Sequence, residues 1–100
     1  MKNLVVGEIY TFMLNSGVEM VAKVVSVDGD NVTLVDPVSI APSQGGVGLM
    51  PSLFTNKMHS EIELNSNSVA LRGITDESVK TKYIEATTGI KVPDKKVILG

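Results

Sequence analysis

The residues most able to do chemistry are scarce in this chain. His59 is the single histidine and there is no cysteine, which removes disulfides, zinc-thiolate sites and thiol nucleophiles. His59 falls in a predicted loop, and no other candidate ligand stands near it at metal-site spacing. A lone loop histidine without a partner is typical of an exposed side chain rather than of a general base. The sequence therefore predicts no catalysis and no metal site.

Two other patterns only partly match ligand-binding motifs. The run at residues 45–48 is glycine-rich, but no Lys-Ser or Lys-Thr follows it, as a phosphate-binding loop requires. Asp28, Asp30 and Asp36 do not have the spacing of a calcium-binding loop, and aspartate is common in hairpin turns in any case. We expect no cofactor.

The charge balance limits the kind of nucleic-acid contact the chain can make. Nine basic and eleven acidic residues give a net charge of −2, which argues against a broad phosphate-binding surface. A narrow pocket for a few single-stranded bases remains compatible with this charge. Lys91, Lys95 and Lys96 cluster near the C-terminus, and a cluster of this kind is typical of a solvated tail.

Length and composition indicate a single domain over residues 1–100. Hydrophobic residues make up 43% of the chain and charged residues 20%, which is a globular balance. Two Tyr, two Phe and no Trp leave the core to aliphatic side chains, so we expect assembly to help stabilise so small a domain. No apolar run approaches the ~20 residues that cross a bilayer. We expect a cytoplasmic protein with no membrane partner.

Alternating apolar residues predict strands in the first part of the chain. Residues 9–14 form the first strand, and a tight turn at Gly17 follows it. Residues 18–27 carry apolar side chains on both faces, as in a long, bent strand shared by two halves of a barrel. A third strand over 32–36 is expected to continue after a break at Pro37.

The middle of the chain loses this alternation. Residues 43–60 are expected to form a loop, yet Leu53 and Phe54 make it too apolar to face water. We expect this loop to cover a barrel end or to contact a neighbouring subunit. Short strands are predicted at residues 61–64 and 69–74, with a polar turn between them.

The last element is predicted to be a helix over about 75–88, followed by a tail over 89–100. Thr75 is the expected N-cap, and Gly89 with Pro93 supplies the stop signal. Apolar residues recur at helical spacing and predict a face that docks on the strands: Val79, Tyr83, Ala86 and Ile90.

The order of these elements resembles the Sm-like (LSm/Hfq-type) proteins. Gly17 and Asp28, eleven residues apart with alternating apolar residues between them, match the first Sm motif. Ala22 stands where the family usually has a glycine at the strand bend. Residues 61–64 and 69–74 resemble the two strands of the second motif. With its helix at the C-terminus, the chain is most similar to phage-encoded Sm-like proteins.

The resemblance implies a mostly β fold, a small five-stranded, bent antiparallel barrel over about residues 8–74 with a C-terminal helix. It also implies that the chain is its own partner, in a homo-oligomeric ring where the fourth strand of one subunit pairs with the fifth of the next. Single-stranded RNA is the ligand that the family suggests.

The resemblance also implies where such RNA would bind. The family stacks a base in the loop after the motif aspartate, and Asn31 offers an amide there for a base edge. The family's Arg-Gly or Lys-His turn is replaced here by Asn65-Ser66. Arg72 is either the family's base-clamping arginine or, because it falls within the last predicted strand, a surface or interface cation. The candidate RNA-binding residues are Asp28, Asn31, Asn65, Ser66 and Arg72.

Two functions therefore remain open from the sequence. One is a ring that binds single-stranded RNA without catalysis, which the precedent of the family favours. The other is a structural or protein-interaction ring that has lost RNA binding, which the altered pocket and the acidic balance favour.

Overall fold

A computed structural model describes residues 3–89, and Pro42, Ser43 and Val47 only in their backbone. The described chain is mostly β, with six antiparallel strands in one sheet and one helix near the C-terminal end. A short 3-10 turn, Ser66–Ser68, joins the last two strands. The elements are β1 Ile9–Leu14, β2 Glu19–Asp28, β3 Asn31–Ser43, β4 Gly46–Pro51, β5 Glu61–Asn65, β6 Val69–Ile74 and α1 Glu77–Thr88.

The strand order is β4-β3-β2-β1-β6, and β5 pairs with the first half of β3 on the side away from β2. β3 therefore changes partner along one edge, from β5 at residues 31–35 to β4 at residues 38–43. β5 and β6 follow each other in the chain but pair with β3 and β1 respectively. The sheet is consequently open between them, and no barrel is closed within the described residues.

The prediction of a structureless loop over residues 43–60 is wrong for its first part. β3 extends to Ser43 and turns into β4, with Ile40 opposite Leu49 and Ser39 opposite Met50. Glycines in β4 hide the alternation that would reveal a strand, because they add no side chain to either face. The strand forms because its partner, the end of β3, extends beyond β2 and leaves its edge available.

The core lies on both faces of the sheet, as the patterns in β1 and β2 predict. Alternate residues of the two strands separate into two clusters, which is the period of two expected of a pleated strand. One cluster consists of Tyr10, Phe12, Met20, Ala22, Val24, Val32 and Leu34. The other consists of Ile9, Val21, Val38 and Tyr83, so α1 covers this face. β2 is apolar on both faces over Met20, Val21 and Ala22, because all three side chains are buried.

The expected break at Pro37 takes the form of a bulge rather than the end of a strand. Asp36 and Pro37 together lie opposite the single residue Ala22, between the registered pairs Val35–Lys23 and Val38–Val21. Asp36 adopts a left-handed backbone conformation, with φ 51°. An extra residue bends the strand and increases its twist. Proline is tolerated at a bulge because no ladder hydrogen bond is required of it there.

The helix begins one residue later than predicted, because Asp76 and not Thr75 is its N-cap. The Asp76 carboxylate accepts a hydrogen bond from the Ser78 backbone N–H at 3.1 Å, and contacts with Ser78 lower the pKa of Asp76. Thr75 is buried instead, and its hydroxyl lies 3.0 Å from that of Thr11. Thr75 therefore forms a contact with the sheet and does not cap the helix, which is the role that the local sequence predicts for it.

The helix ends as predicted, at Gly89. This residue has φ 74°, and its N–H donates to the carbonyl of Glu85 at 3.0 Å. Tyr83 and Val79 pack on the sheet as expected, while Ala86 is exposed and Ile84 contacts the core in its place. The other predicted features of this region lie outside the described residues: Ile90, Pro93, Lys91, Lys95 and Lys96.

Tyr83 attaches the helix to the bulge through its hydroxyl group. The oxygen accepts a hydrogen bond from the Lys23 N–H at 3.1 Å, and the hydroxyl donates to the Val35 carbonyl at 3.0 Å. These two residues are ladder partners directly beside the bulge. Burial raises the pKa of Tyr83 above its usual value, so the group stays a neutral donor at physiological pH.

Replacing Tyr83 by phenylalanine should lower the free energy of unfolding by about 1–3 kcal/mol, the usual cost of leaving buried polar groups unpaired. The Lys23 N–H and the Val35 carbonyl would both lose a partner while the ring is retained. Urea denaturation followed by circular dichroism measures the difference.

Tyr10→Phe is the matched control. Within residues 3–89, the Tyr10 hydroxyl accepts from the backbone N–H of the exposed Val5 at 2.8 Å, and water can replace that bond. Equal losses in the two variants would contradict a special role for the Tyr83 hydroxyl.

Candidate functional site

Four of the five predicted RNA-binding residues lie together at one end of the sheet. Asn31 and Asn65 are ladder partners between β3 and β5, and Asp28 pairs with Asn31 across the β2–β3 turn. The Ser66 N–H donates to the carbonyl of Asp30 at 2.8 Å, which ties the two turns to each other. We call this group the turn junction; it consists of Asp28, Asp30, Asn31, Asn65 and Ser66.

Local hydrogen bonds fix the turn junction. The Asn65 side-chain oxygen caps the 3-10 turn by accepting from the Asn67 N–H at 2.8 Å. The turn between β1 and β2 joins the same end of the sheet, since the Asn15 side chain donates to the Asn67 carbonyl at 2.6 Å and its backbone N–H to that of Ser68 at 2.8 Å. Three turns are thus gathered into one polar surface.

The chemistry of the turn junction is that of amides and carboxylates. Asn31 and Asn65 are exposed, and an amide presents both a donor and an acceptor, the pattern that reads the edge of a base. The cap occupies the Asn65 oxygen, so its NH₂ group is the part left for a ligand. Asp28 and Asp30 place negative charge beside these amides, which opposes any contact with phosphate. The junction includes no aromatic ring on which a base could stack.

Arg72 does not belong to this group. It lies within β6, opposite Phe12 of β1, as the strand assignment from the sequence predicts. A position within the strand, and not in the β5–β6 turn, separates it from Asn65 and Ser66.

The expectation that His59 has no partner is wrong. Its Nδ1 atom lies 3.0 Å from both carboxylate oxygens of Asp36, at the bulge of β3. Both residues have positive φ, 63° for His59 and 51° for Asp36. The pair is separated by 23 positions in the sequence, so no local spacing reveals it. Only the position of the bulge brings the two side chains together.

Of the described serine and threonine hydroxyls, none is hydrogen-bonded to this pair. The His59 side chain is 56% exposed to solvent, where a general base gains little from its neighbours. The adjacent hydroxyl, that of Ser60, donates to the Lys57 carbonyl at 2.6 Å. Within residues 3–89, no group of three histidine, cysteine or acidic side chains converges as metal ligands would.

An apolar pocket of about 370 Å³ lies beside the Asp36–His59 pair. The β3–β4 hairpin, the segment that follows it and the end of α1 form its walls. We call it the hairpin pocket; its lining includes Pro37, Val38, Leu49, Met50, Leu53, Phe54, Met58, Ile62, Ala86 and Thr87. Phe54 and Met58 are 79% and 78% exposed. The expectation that Phe54 is covered is therefore not met within the described part of one subunit.

In the part of the chain that the structure describes, no helix has the length and apolar character required to cross a bilayer. Comparison of this chain with protein-family models and with curated proteins found no match.

Substitution of Ser66 tests the hydrogen bond that joins the two turns. Ser66→Pro removes the N–H that donates to Asp30, while proline suits the first position of a helical turn. We expect the free energy of unfolding to fall by about 1 kcal/mol or more. Ser66→Ala keeps that N–H and should stay within about 0.5 kcal/mol of the parent. Equal stability of the two variants in urea titrations would show that the bond between the turns contributes nothing.

Proposed function

We propose that this chain is a non-catalytic, Sm-like subunit that assembles into a homo-oligomeric ring through β5 and β6. The observation that carries the proposal is the pair of open edges that these strands leave. Each of the two pairs with one strand inside the described chain and presents its other edge. Open edges are a liability that proteins cover or blunt.

The side chains of β6 add a second argument. Leu71 is 68% exposed and Ile74 is 89% exposed, although both lie in an ordered strand of the sheet. β5 alternates exposed and half-buried residues along its five positions. A neighbour's β5 laid antiparallel to β6 would satisfy the open backbone groups and place side chains beside Leu71 on one face of the sheet and beside Ile74 on the other.

The order of the strands supports the Sm-like part of the proposal. The last strand pairs with the first, the second and third are long and bent, and a single 3-10 turn separates β5 from β6. This is the arrangement that the resemblance implies for a bent barrel. The β3–β4 hairpin is an addition to it.

The mass of the protein in solution tests the assembly. Size-exclusion chromatography with light scattering at micromolar concentration should give a closed multiple of the 10.6 kDa subunit. Leu71→Lys should shift this mass toward one subunit, because it places a charge in an apolar interface. A monomeric parent protein would end the proposal.

Val6→Lys is the control for that substitution. Val6 is 60% exposed but precedes β1 and does not belong to either open edge. The mass of this variant should match that of the parent. If Val6→Lys dissociated the protein as Leu71→Lys does, general destabilisation would explain the result in place of a β5–β6 interface.

We extend the proposal to single-stranded RNA, held by its bases at the turn junction. The amides of Asn31 and Asn65 can recognise base edges without a phosphate contact, which suits the acidic surroundings. In the fold that the chain resembles, these turns face the central pore. Several copies of a weak contact gain affinity because each bound base raises the effective concentration of the next.

Fluorescence anisotropy with short oligo-U and oligo-A RNA at two salt concentrations tests this extension. Asn31→Ala and Asn65→Ala should weaken binding by about tenfold or more, as expected when one lost hydrogen bond repeats around a ring. Asn65→Asp keeps the oxygen that caps the 3-10 turn but loses the NH₂ donor, so it separates binding from folding. A dominant effect of Arg72→Ala with steep salt dependence would indicate peripheral, electrostatic binding and would reject the junction.

The second candidate is a ring with a structural or protein-interaction role. The carboxylates of Asp28 and Asp30 at the turn junction favour it, since they repel nucleic acid. Under this alternative the light-scattering result stays the same and neither RNA binds at either salt concentration.

A further inference from the structure

The hairpin pocket is an apolar surface that the proposed function does not use. Its wall includes Phe54 and Met58, which are more than three-quarters exposed, and Met50 and Leu53 are also exposed beside them. A contiguous apolar patch of this kind marks a surface that another group covers. Because it lies beside β4 and the end of α1, it is remote in the sheet order from the β6 edge.

The course of the chain identifies the occupant. Ala86 and Thr87, in the last turn of α1, are themselves part of the pocket wall. Gly89 then turns the backbone away from the helix axis, with φ 74°. Residues 90–100 therefore leave the described structure at the edge of this pocket. Each residue of an extended chain spans about 3.4 Å, so the length of the segment is ample for a return into the pocket.

The sequence of this segment fits the pocket in polarity. Residues 97–99 read Val-Ile-Leu, an uninterrupted aliphatic triplet. Lys95 and Lys96 precede it, and Pro93-Asp94 before them favours a turn. At the pocket rim, the Asp36 carboxylate is largely shielded, with 21% of its side chain exposed. His59 already pairs with this carboxylate, and Lys57 also lines the pocket. The match therefore lies between the aliphatic triplet and the apolar walls.

We propose that residues 97–99 of this chain occupy the hairpin pocket of their own subunit. Attachment a few residues away gives the segment a high effective concentration at this pocket, which favours its own subunit over a neighbour. Residues 97–99 thus cover the hairpin pocket, and any partner of this surface must displace them.

Thiol labelling tests whether the pocket is covered. The chain has no cysteine, so a single introduced thiol gives a clean signal in the full-length protein. Met58→Cys should react with a maleimide reagent about tenfold more slowly than Val6→Cys, although Met58 is the more exposed in the described structure. A reaction about tenfold slower is expected because the free energy gained by burying one aliphatic side chain in the pocket keeps the thiol covered most of the time. Adding Ile98→Asp should restore fast labelling of Met58→Cys.

Disulfide formation identifies the subunit that supplies the segment. Met58→Cys with Ile98→Cys should form an intrachain disulfide under mild oxidation, seen by mass spectrometry and by mobility on non-reducing gels. Val27→Cys with Ile98→Cys is the control, because Val27 lies at the far end of β2 beside the turn junction. Disulfide-linked dimers would mean that a second copy fills the pocket. Equal labelling rates with no effect of Ile98→Asp would mean that nothing covers it, and either result overturns the proposal.

Discussion

The hydroxyl group of Tyr83 holds two strands and a helix in one arrangement. It lies between the Lys23 N–H and the Val35 carbonyl, and these two residues are ladder partners. The pair is adjacent to the bulge, where two residues of β3 lie opposite one residue of β2. Without such a bridge, two partly buried backbone groups beside the bulge would lose this partner, which costs free energy. The orientation of α1 and the bend of β3 are consequently set by the same oxygen atom.

The bulge in turn arranges the surfaces on either side of it. Before it, β3 pairs with β5 and forms the turn junction; after it, β3 pairs with β4 and forms the hairpin. Asp36 sits at the change of partner in a left-handed conformation, which aspartate tolerates better than most residues. Its side chain meets His59 there. One irregular position thus separates a polar surface from an apolar one.

Features governed by local periodicity were predictable from the sequence. The alternation of Tyr10 and Phe12, and the left-handed glycine at position 89, follow from geometry within a few residues. In these places the local preference and the tertiary contact favour the same conformation. The proximity of the turns at Asn31 and Asn65 was expected from the resemblance to the Sm-like fold and not from local periodicity.

Features governed by distant contacts were not predictable. Thr75 has the side chain of an N-cap, but Thr11, 64 positions away, uses its hydroxyl. His59 finds its partner only through the bulge. The glycines of β4 conceal a strand that exists because the end of β3 provides an edge. The errors at Thr75 and His59 have the same physical cause, since a hydrogen-bonding partner remote in sequence outweighed a weak local preference. The partner of β4 is close in the sequence, and this strand was missed because its glycines leave no alternation to read.

The pairing of β6 with β1 has a consequence for the order of folding. β1 to β4 form a series of neighbouring hairpins, whereas Phe12 must find Arg72 across most of the chain. Closing so long a loop costs entropy before any contact repays it, so non-local strand pairs form late. The edge of β6 therefore takes shape only when the rest of the sheet is in place. Any association through that edge is a property of the finished fold and cannot compete with its formation.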